Sequence, residues 1–125
     1  MSETKKKILL VEDEAMIVEM YKLRFNEDGF EVLVTDKGSE AIKLAKEEKP
    51  NIILLDIILP EMDGFAILEQ LKGSAATKKI PVIMLTNLGQ ESDQKKGTEG
   101  GADSYLLKAS NTPAEVVKEI KKLIK

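Results

Sequence analysis

Asp56 stands inside the run NIILLDIILPEMDG, Asn51–Gly64. A buried, unpaired carboxylate in such a run costs several kcal/mol unless it is neutralised, paired or placed at a mouth. Other residues that can do chemistry follow apolar runs in the same way. Glu12 and Asp13 follow KILLV, Thr86 follows PVIML and Lys108 follows SYLL. Clustered carboxylates repel, and a hard divalent cation that prefers oxygen relieves the repulsion, so Glu12, Asp13 and Asp56 form a candidate Mg2+ site that retains waters. A carboxylate is also a nucleophile toward phosphorus, giving an aspartyl phosphate. The metal and Lys108 would neutralise charge on the transferring group, and the Thr86 hydroxyl would bond a phosphoryl oxygen. Taken singly, each residue has an ordinary role: an acidic pair after a strand caps a helix, and a lone Asp makes a turn. Five complementary groups at four strand ends favour the chemical reading.

These groups meet only if the runs that precede them are neighbouring strands. Short Ile-, Val- and Leu-rich runs alternate with segments of helical period, the pattern of a parallel sheet covered on both faces. The expected strands are Lys7–Val11, Glu31–Thr35, Ile52–Leu55, Pro81–Leu85 and Ser104–Leu107. Among the helices, Glu14–Asn26 places Met16, Ile17, Met20 and Leu23 on one face, Gly38–Glu48 groups Ala41, Leu44 and Ala45, and Phe65–Lys72 carries Ile67, Leu68 and Leu71. Thr112-Pro113-Ala114-Glu115 is a capping box that opens a helix with an apolar stripe of Val116, Val117, Ile120, Leu123 and Ile124. Five βα units with short connections make an α/β, doubly wound open sheet, whose ligand site forms beyond the carboxyl ends of its strands. That puts Asp56 at a strand mouth.

Composition narrows the chemistry further. The chain has 125 residues and no internal repeat, enough for one domain, with 42% hydrophobic and 33% charged residues. Its 19 basic and 22 acidic residues are well mixed and leave a net charge of −3, without the basic stripe of a nucleic-acid binder. The lysines gather only near Lys5–Lys7 and Lys118–Lys125, read as solvated charge. Without Cys there are no disulfides or thiolate sites, and without His there is no imidazole base or ligand, which excludes Ser-His-Asp hydrolases and zinc enzymes of common type. No apolar run approaches the roughly 18 residues of a membrane span, so a cytoplasmic protein with neither membrane nor nucleic-acid partners is expected.

The segments ILLVEDE, LLDIILPEMDGF, PVIMLT and GADSYLLK, spread over Lys6–Lys125, resemble the response-regulator receiver domain of two-component signalling. The resemblance implies a single flavodoxin-like domain over residues 1–125 with strand order 2-1-3-4-5, a flexible tail at residues 1–5 and no output domain. It implies that Asp56 accepts a phosphoryl group from a histidine kinase or histidine phosphotransfer protein. Glu12, Asp13, Asp56 and the Ile58 backbone carbonyl would hold Mg2+, Lys108 would contact the phosphoryl group, and Thr86 and Tyr105 would be the switch pair. The chain would then be a switch rather than an enzyme acting on other substrates. Its fourth helix, fifth strand and fifth helix would carry the signal to an unidentified output protein.

Three departures or particulars accompany that resemblance. Ala109 follows Lys108 where the family usually has Pro, often joined by a cis peptide. Glu91–Gly101 contains Gly97, Gly100 and Gly101, each costing up to about 1 kcal/mol inside a helix, and has almost no apolar face, so a short and weakly held helix is expected there. Ile58 and Leu88, two residues beyond Asp56 and Thr86, cannot orient a water, which implies slow loss of the phosphoryl group. Two other readings compete. A phosphatase of the haloacid-dehalogenase kind wants a second Asp at position 58, which is Ile; a degenerate receiver would dock partners without being phosphorylated.

Overall fold

The computed structural model describes residues 5–124; of the expected tail, residues 1–4 lie outside the described residues and Lys5 is exposed. Ten elements alternate along the chain: β1 (Lys7–Val11), α1 (Ala15–Glu27), β2 (Glu31–Thr35), α2 (Gly38–Glu48), β3 (Ile52–Leu55), α3 (Gly64–Lys72), β4 (Val82–Thr86), α4 (Glu91–Glu99), β5 (Ser104–Leu107) and α5 (Pro113–Leu123). The strands form one parallel sheet in the order β2-β1-β3-β4-β5. This is the doubly wound, flavodoxin-like arrangement expected from the sequence.

The period of two along each strand divides the side chains between two cores. Ile8, Leu10, Ile52, Leu54, Ile83 and Leu85 face α1 and α5, where they meet Tyr21, Phe25, Val116, Val117 and Ile120. Leu9, Val11, Ile53, Leu55, Val82 and Met84 face the other layer and meet Ala41, Ala45, Ile67, Leu68 and Leu71. Because β1, β3 and β4 are buried on both faces, their sequences read as unbroken apolar runs.

α1 turns a different face inward from the one its sequence pointed to. Tyr21 and Phe25 are buried, their rings stacked with centroids 5.6 Å apart, and Ile17 packs beside them. Met16, Met20 and Leu23 are 86%, 42% and 65% exposed. Two apolar stripes run along this helix at the same spacing, and the two aromatic rings bury more area, so their stripe wins the core. In α4 only Gly97 of the three glycines is interior; Gly100 is the C-cap and Gly101, at φ +102°, ends the turn. Gly97 is the buried residue of that helix, and a Cβ there would lie 3.0 Å from the Tyr105 ring. α5 begins as expected, with the Thr112 hydroxyl accepting from the Glu115 N–H at 3.2 Å and the Glu115 carboxylate accepting from the Thr112 N–H at 2.8 Å. β4 runs one residue later than expected and includes Thr86. No described helix is long and apolar enough to cross a membrane.

Candidate functional site

Strand register brings the chemistry-bearing residues to one edge. Val11 pairs with Leu55, so Glu12 and Asp56 leave the sheet side by side; Thr86 pairs with Leu107, so Lys108 follows beside Asn87. A cavity of about 190 Å³ opens there, lined by Asp13, Glu14, Asp56, Ile58, Thr86, Asn87 and Lys108. The structure brings Asp13, Asp56, Ile58, Thr86 and Lys108 to this one cavity; of the other residues proposed from the sequence, Glu12 contacts Lys108, and Tyr105 does not line the cavity but bonds the Leu88 carbonyl.

Lys108 is the hub of the charge arrangement. Its ammonium bridges Glu12 and lies 2.8 Å from Asp56 Oδ2, with all three side chains at most 8% exposed. Burial acts to lower the Lys108 pKa, but the hydrogen bonds and charges of Asp56 and Glu12 outweigh it and hold the ammonium above its ordinary value. Glu12 moves upward, because burial outweighs the hydrogen bond from Lys108. Its other oxygen accepts the N–H groups of Asp13 at 3.2 Å and Glu14 at 3.1 Å, so it braces the loop before α1. Asp56 Oδ1 accepts the Ile57 N–H at 2.7 Å. The Asp56 carboxylate is thus buried, but both of its oxygens are satisfied.

The peptide bond between Lys108 and Ala109 is trans, and Lys108 still reaches Asp56. Proline is therefore not required at position 109 to aim this lysine. Carboxylate oxygens of Glu12, Asp13 and Asp56 all fall within 4.8 Å of one another. They form an all-oxygen donor set of the hardness that Mg2+ prefers, and Ile58 lines the same cavity.

Thr86, 1% exposed, is linked to Tyr105 through one residue. Thr86 Oγ1 accepts the Leu88 N–H at 3.3 Å, and the Leu88 carbonyl accepts the Tyr105 hydroxyl at 2.5 Å. Burial pushes the Tyr105 phenol up to about 12, with the charges of Asp93 and Asp56 adding to it. Since the folded value lies above the ordinary value near 10, the neutral phenol favours the native state; that contribution is complete below about pH 10 and is lost as pH rises through about 12. Tyr21 is also raised, by burial. Alkaline titration followed by tyrosinate absorbance is expected to show no ionisation step near pH 10 in the native protein; a step there assigned to Tyr105 by its loss in Tyr105→Phe would contradict this.

Two contacts at this edge escaped the sequence reading. The Ala109 N–H donates to Asn87 Oδ1 at 3.1 Å. Glu61 reaches across from the loop after β3 and accepts the Ser39 N–H at 2.9 Å and hydroxyl at 2.8 Å, capping α2, whose own N-cap residue Lys37 supplies no side-chain bond. Both join residues far apart in the chain, and no local pattern marks them.

Residues 8–121 match the family model described as the response regulator receiver domain, and the chain belongs to that family. It is 38% identical over 120 residues to the alkaline phosphatase synthesis transcriptional regulatory protein PhoP of Bacillus subtilis, covering 96% of this chain and 49% of that protein. It is 40% identical over 118 residues to the transcriptional regulatory protein SrrA of Staphylococcus aureus, covering 94% of this chain and 47% of that one. The BeF3-activated N-terminal receiver domain of Klebsiella pneumoniae RstA superposes with a TM-score of 0.89 at 28% identity, covering 96% of this chain and 99% of that one. Membership makes this a domain of two-component, phosphorylation-dependent signalling. The chain spans about half the length of these curated relatives. The expectation of no nucleic-acid partner rested on charge in this stretch alone, and it loses its support for the whole protein beside relatives that are transcriptional regulators.

Proposed function

We propose that the domain is a phosphorylation switch whose acceptor is Asp56. The observation that carries this reading is the buried triad of Asp56, Glu12 and Lys108, two of whose members, Asp56 and Lys108, line a cavity together with Asp13 and Thr86. A histidine kinase or histidine phosphotransfer protein supplies the phosphoryl group. An Asp56 carboxylate oxygen attacks phosphorus, the new O–P bond forms as the P–N bond to the donor imidazole breaks, and the imidazole leaves with the electron pair. Lys108 neutralises charge on the group in transit. Glu12, Asp13, Asp56 and the Ile58 carbonyl would hold Mg2+, which when bound offsets the negative charge of phosphoryl group and carboxylates.

The switch follows from the path through Leu88. Once a phosphoryl oxygen accepts the Thr86 hydroxyl, Thr86 turns and the Leu88 N–H loses its acceptor. The Leu88 segment then shifts, and with it the carbonyl that Tyr105 holds, which repacks the face of α4, β5 and α5 presented to an output protein. Tyr105 lies against Gly97, so a movement of its ring is felt directly by α4.

The donor must bring phosphorus within bonding distance of Asp56, so a donor protein covers the surface around that cavity. Ile58, 63% exposed, lines it, and Met16, Met20 and Leu23 are exposed on α1, the helix that follows the loop carrying Asp13. Exposed apolar side chains on that helix fit the apolar face of a helical donor.

Incubation with Mg2+ and acetyl phosphate, followed by intact mass, is expected to add one phosphoryl group to the wild type and none to Asp56→Asn. No gain together with no Mg2+ binding would favour the docking module instead. The same samples give the decay of the adduct, expected to be slow because Ile58 and Leu88 cannot position a water; loss within seconds would overturn that part.

A further inference from the structure

Beyond the acceptor itself, and resting on the switch reading above, the geometry points to Asn87 as the residue that positions Lys108. The last backbone rung of the β4–β5 ladder is the Lys108 N–H donating to the Thr86 carbonyl at 2.9 Å. Ala109 follows in the turn beyond the sheet, where its N–H has no strand carbonyl as partner. Asn87 supplies an acceptor: its side-chain oxygen takes this N–H at 3.1 Å, a tie made just past the end of the ladder. The tie spans the peptide that immediately follows Lys108, whose ammonium must reach both Glu12 and Asp56 from the same edge.

The chemistry explains why an Asn serves here. Ala109 carries an N–H that a ring residue would lack and its φ is not fixed by a ring, so the loop after Lys108 lacks the stiffness that proline would lend it. An amide oxygen one residue beyond Thr86 is the right length to take that N–H, and it brings no negative charge to a cavity that already contains Asp13 and Asp56. The Ser110 N–H at 3.1 Å and the Asn111 amide at 3.0 Å both go to the carbonyl of Leu107, the last residue of β5 itself. Beyond the backbone bond of Lys108 to Thr86, the Asn87 side chain is the tie from this turn to the segment that follows β4.

Three measurements on the intact domain test this. In Asn87→Ala the Ala109 amide proton is expected to exchange about tenfold faster by NMR, and the rate of phosphorylation by acetyl phosphate at saturating Mg2+ to fall about threefold to tenfold, the range that one exposed hydrogen bond commands. Apparent Mg2+ affinity should stay at the wild-type value, because the change acts through Lys108 and not through the carboxylates. In an Ala109→Pro background the bond is already gone, so Asn87→Ala should add nothing. Unchanged exchange at Ala109, an unchanged phosphorylation rate, weakened Mg2+ binding, or an equal further loss in the Ala109→Pro background would each overturn the assignment. Should Ala109→Pro fail to fold, exchange and rate in Asn87→Ala decide alone. Absence of phosphorylation in the wild type would sink the switch reading instead, and the exchange measurement would still judge the tie.

Discussion

Replacing Lys108 with Met is expected to cost about 3 kcal/mol or more of stability at neutral pH and to reduce phosphorylation by acetyl phosphate at least a hundredfold. The ammonium sits between Glu12 and Asp56, and each of these side chains is almost wholly withdrawn from water. Met matches the length of the stem but removes the charge, leaving two buried carboxylates that face each other uncompensated. That loss exceeds the worth of the pair itself, since what is measured is the penalty on the partners left behind. The same charge is missing when the phosphoryl group crosses to Asp56, so rate and stability fall together. The two effects separate in a second variant. Lys108→Met combined with Asp56→Asn removes one of the stranded carboxylates, and urea unfolding should recover a large part of the stability while acceptance stays absent. Additive losses in the double variant would show that Lys108 and Asp56 are not energetically coupled. In that case the triad would not be the centre of the site.

Most of the layout was legible in the sequence because the sheet is buried on both faces. The runs of β1, β3 and β4 contain no alternation with polar residues, so each showed as a strand, and the first polar residue after each run marked its carboxyl end. The parallel order then made those ends coincide, which is why Glu12, Asp13, Asp56, Thr86 and Lys108 could be named together before any distance was known. α5 was equally plain, since Thr112 and Glu115 announce its start and its apolar stripe has no competitor. α1 was not, because Met16, Ile17, Met20 and Leu23 recur at helical spacing just as Ile17, Tyr21 and Phe25 do; of the expected face only Ile17 packs inward, and spacing alone does not say which stripe wins. Gly100 and Gly101 lie where α4 ends and so do not weaken its interior, and Gly101, at φ +102°, uses a glycine's freedom there. What no pattern revealed were contacts between loops: Asn87 with Ala109, Glu61 with Ser39, and the passage of one backbone against another at Gly64.

That last contact sets the largest structural effect expected of a single methyl group. Gly64 opens α3, and its N–H donates to the Ile57 carbonyl at 2.8 Å, closing the loop that returns from Asp56. A Cβ at this position would stand 2.2 Å from the Asp56 carbonyl oxygen, 2.7 Å from Ile57 Cα and 2.9 Å from the Asp56 carbonyl carbon. All three are backbone atoms, so no side chain can swing aside, and relief requires moving either α3 or the acceptor peptide. α3 is held by Ile67, Leu68 and Leu71 in the core and by the Asp63 side chain, which accepts the Ala66 N–H at 2.9 Å. The acceptor peptide is held by β3, buried on both sides. Gly64→Ala is therefore expected to cost about 3 kcal/mol or more, lowering Tm by roughly 10 °C for a domain of this size. What remains folded should accept phosphoryl groups on the order of a hundredfold more slowly, because the displaced residue is the nucleophile itself. Gly29 is the matched control. It has φ +88° but nothing within 4 Å of its Cβ position, so Gly29→Ala carries only the conformational cost of about 1 kcal/mol and no change in phosphorylation rate. Thermal unfolding and phosphorylation of the two variants side by side distinguish close approach from backbone strain. Equal and small losses in both would mean that the acceptor loop can yield to a methyl group, and that Gly64 is not what holds the Asp56 peptide against α3.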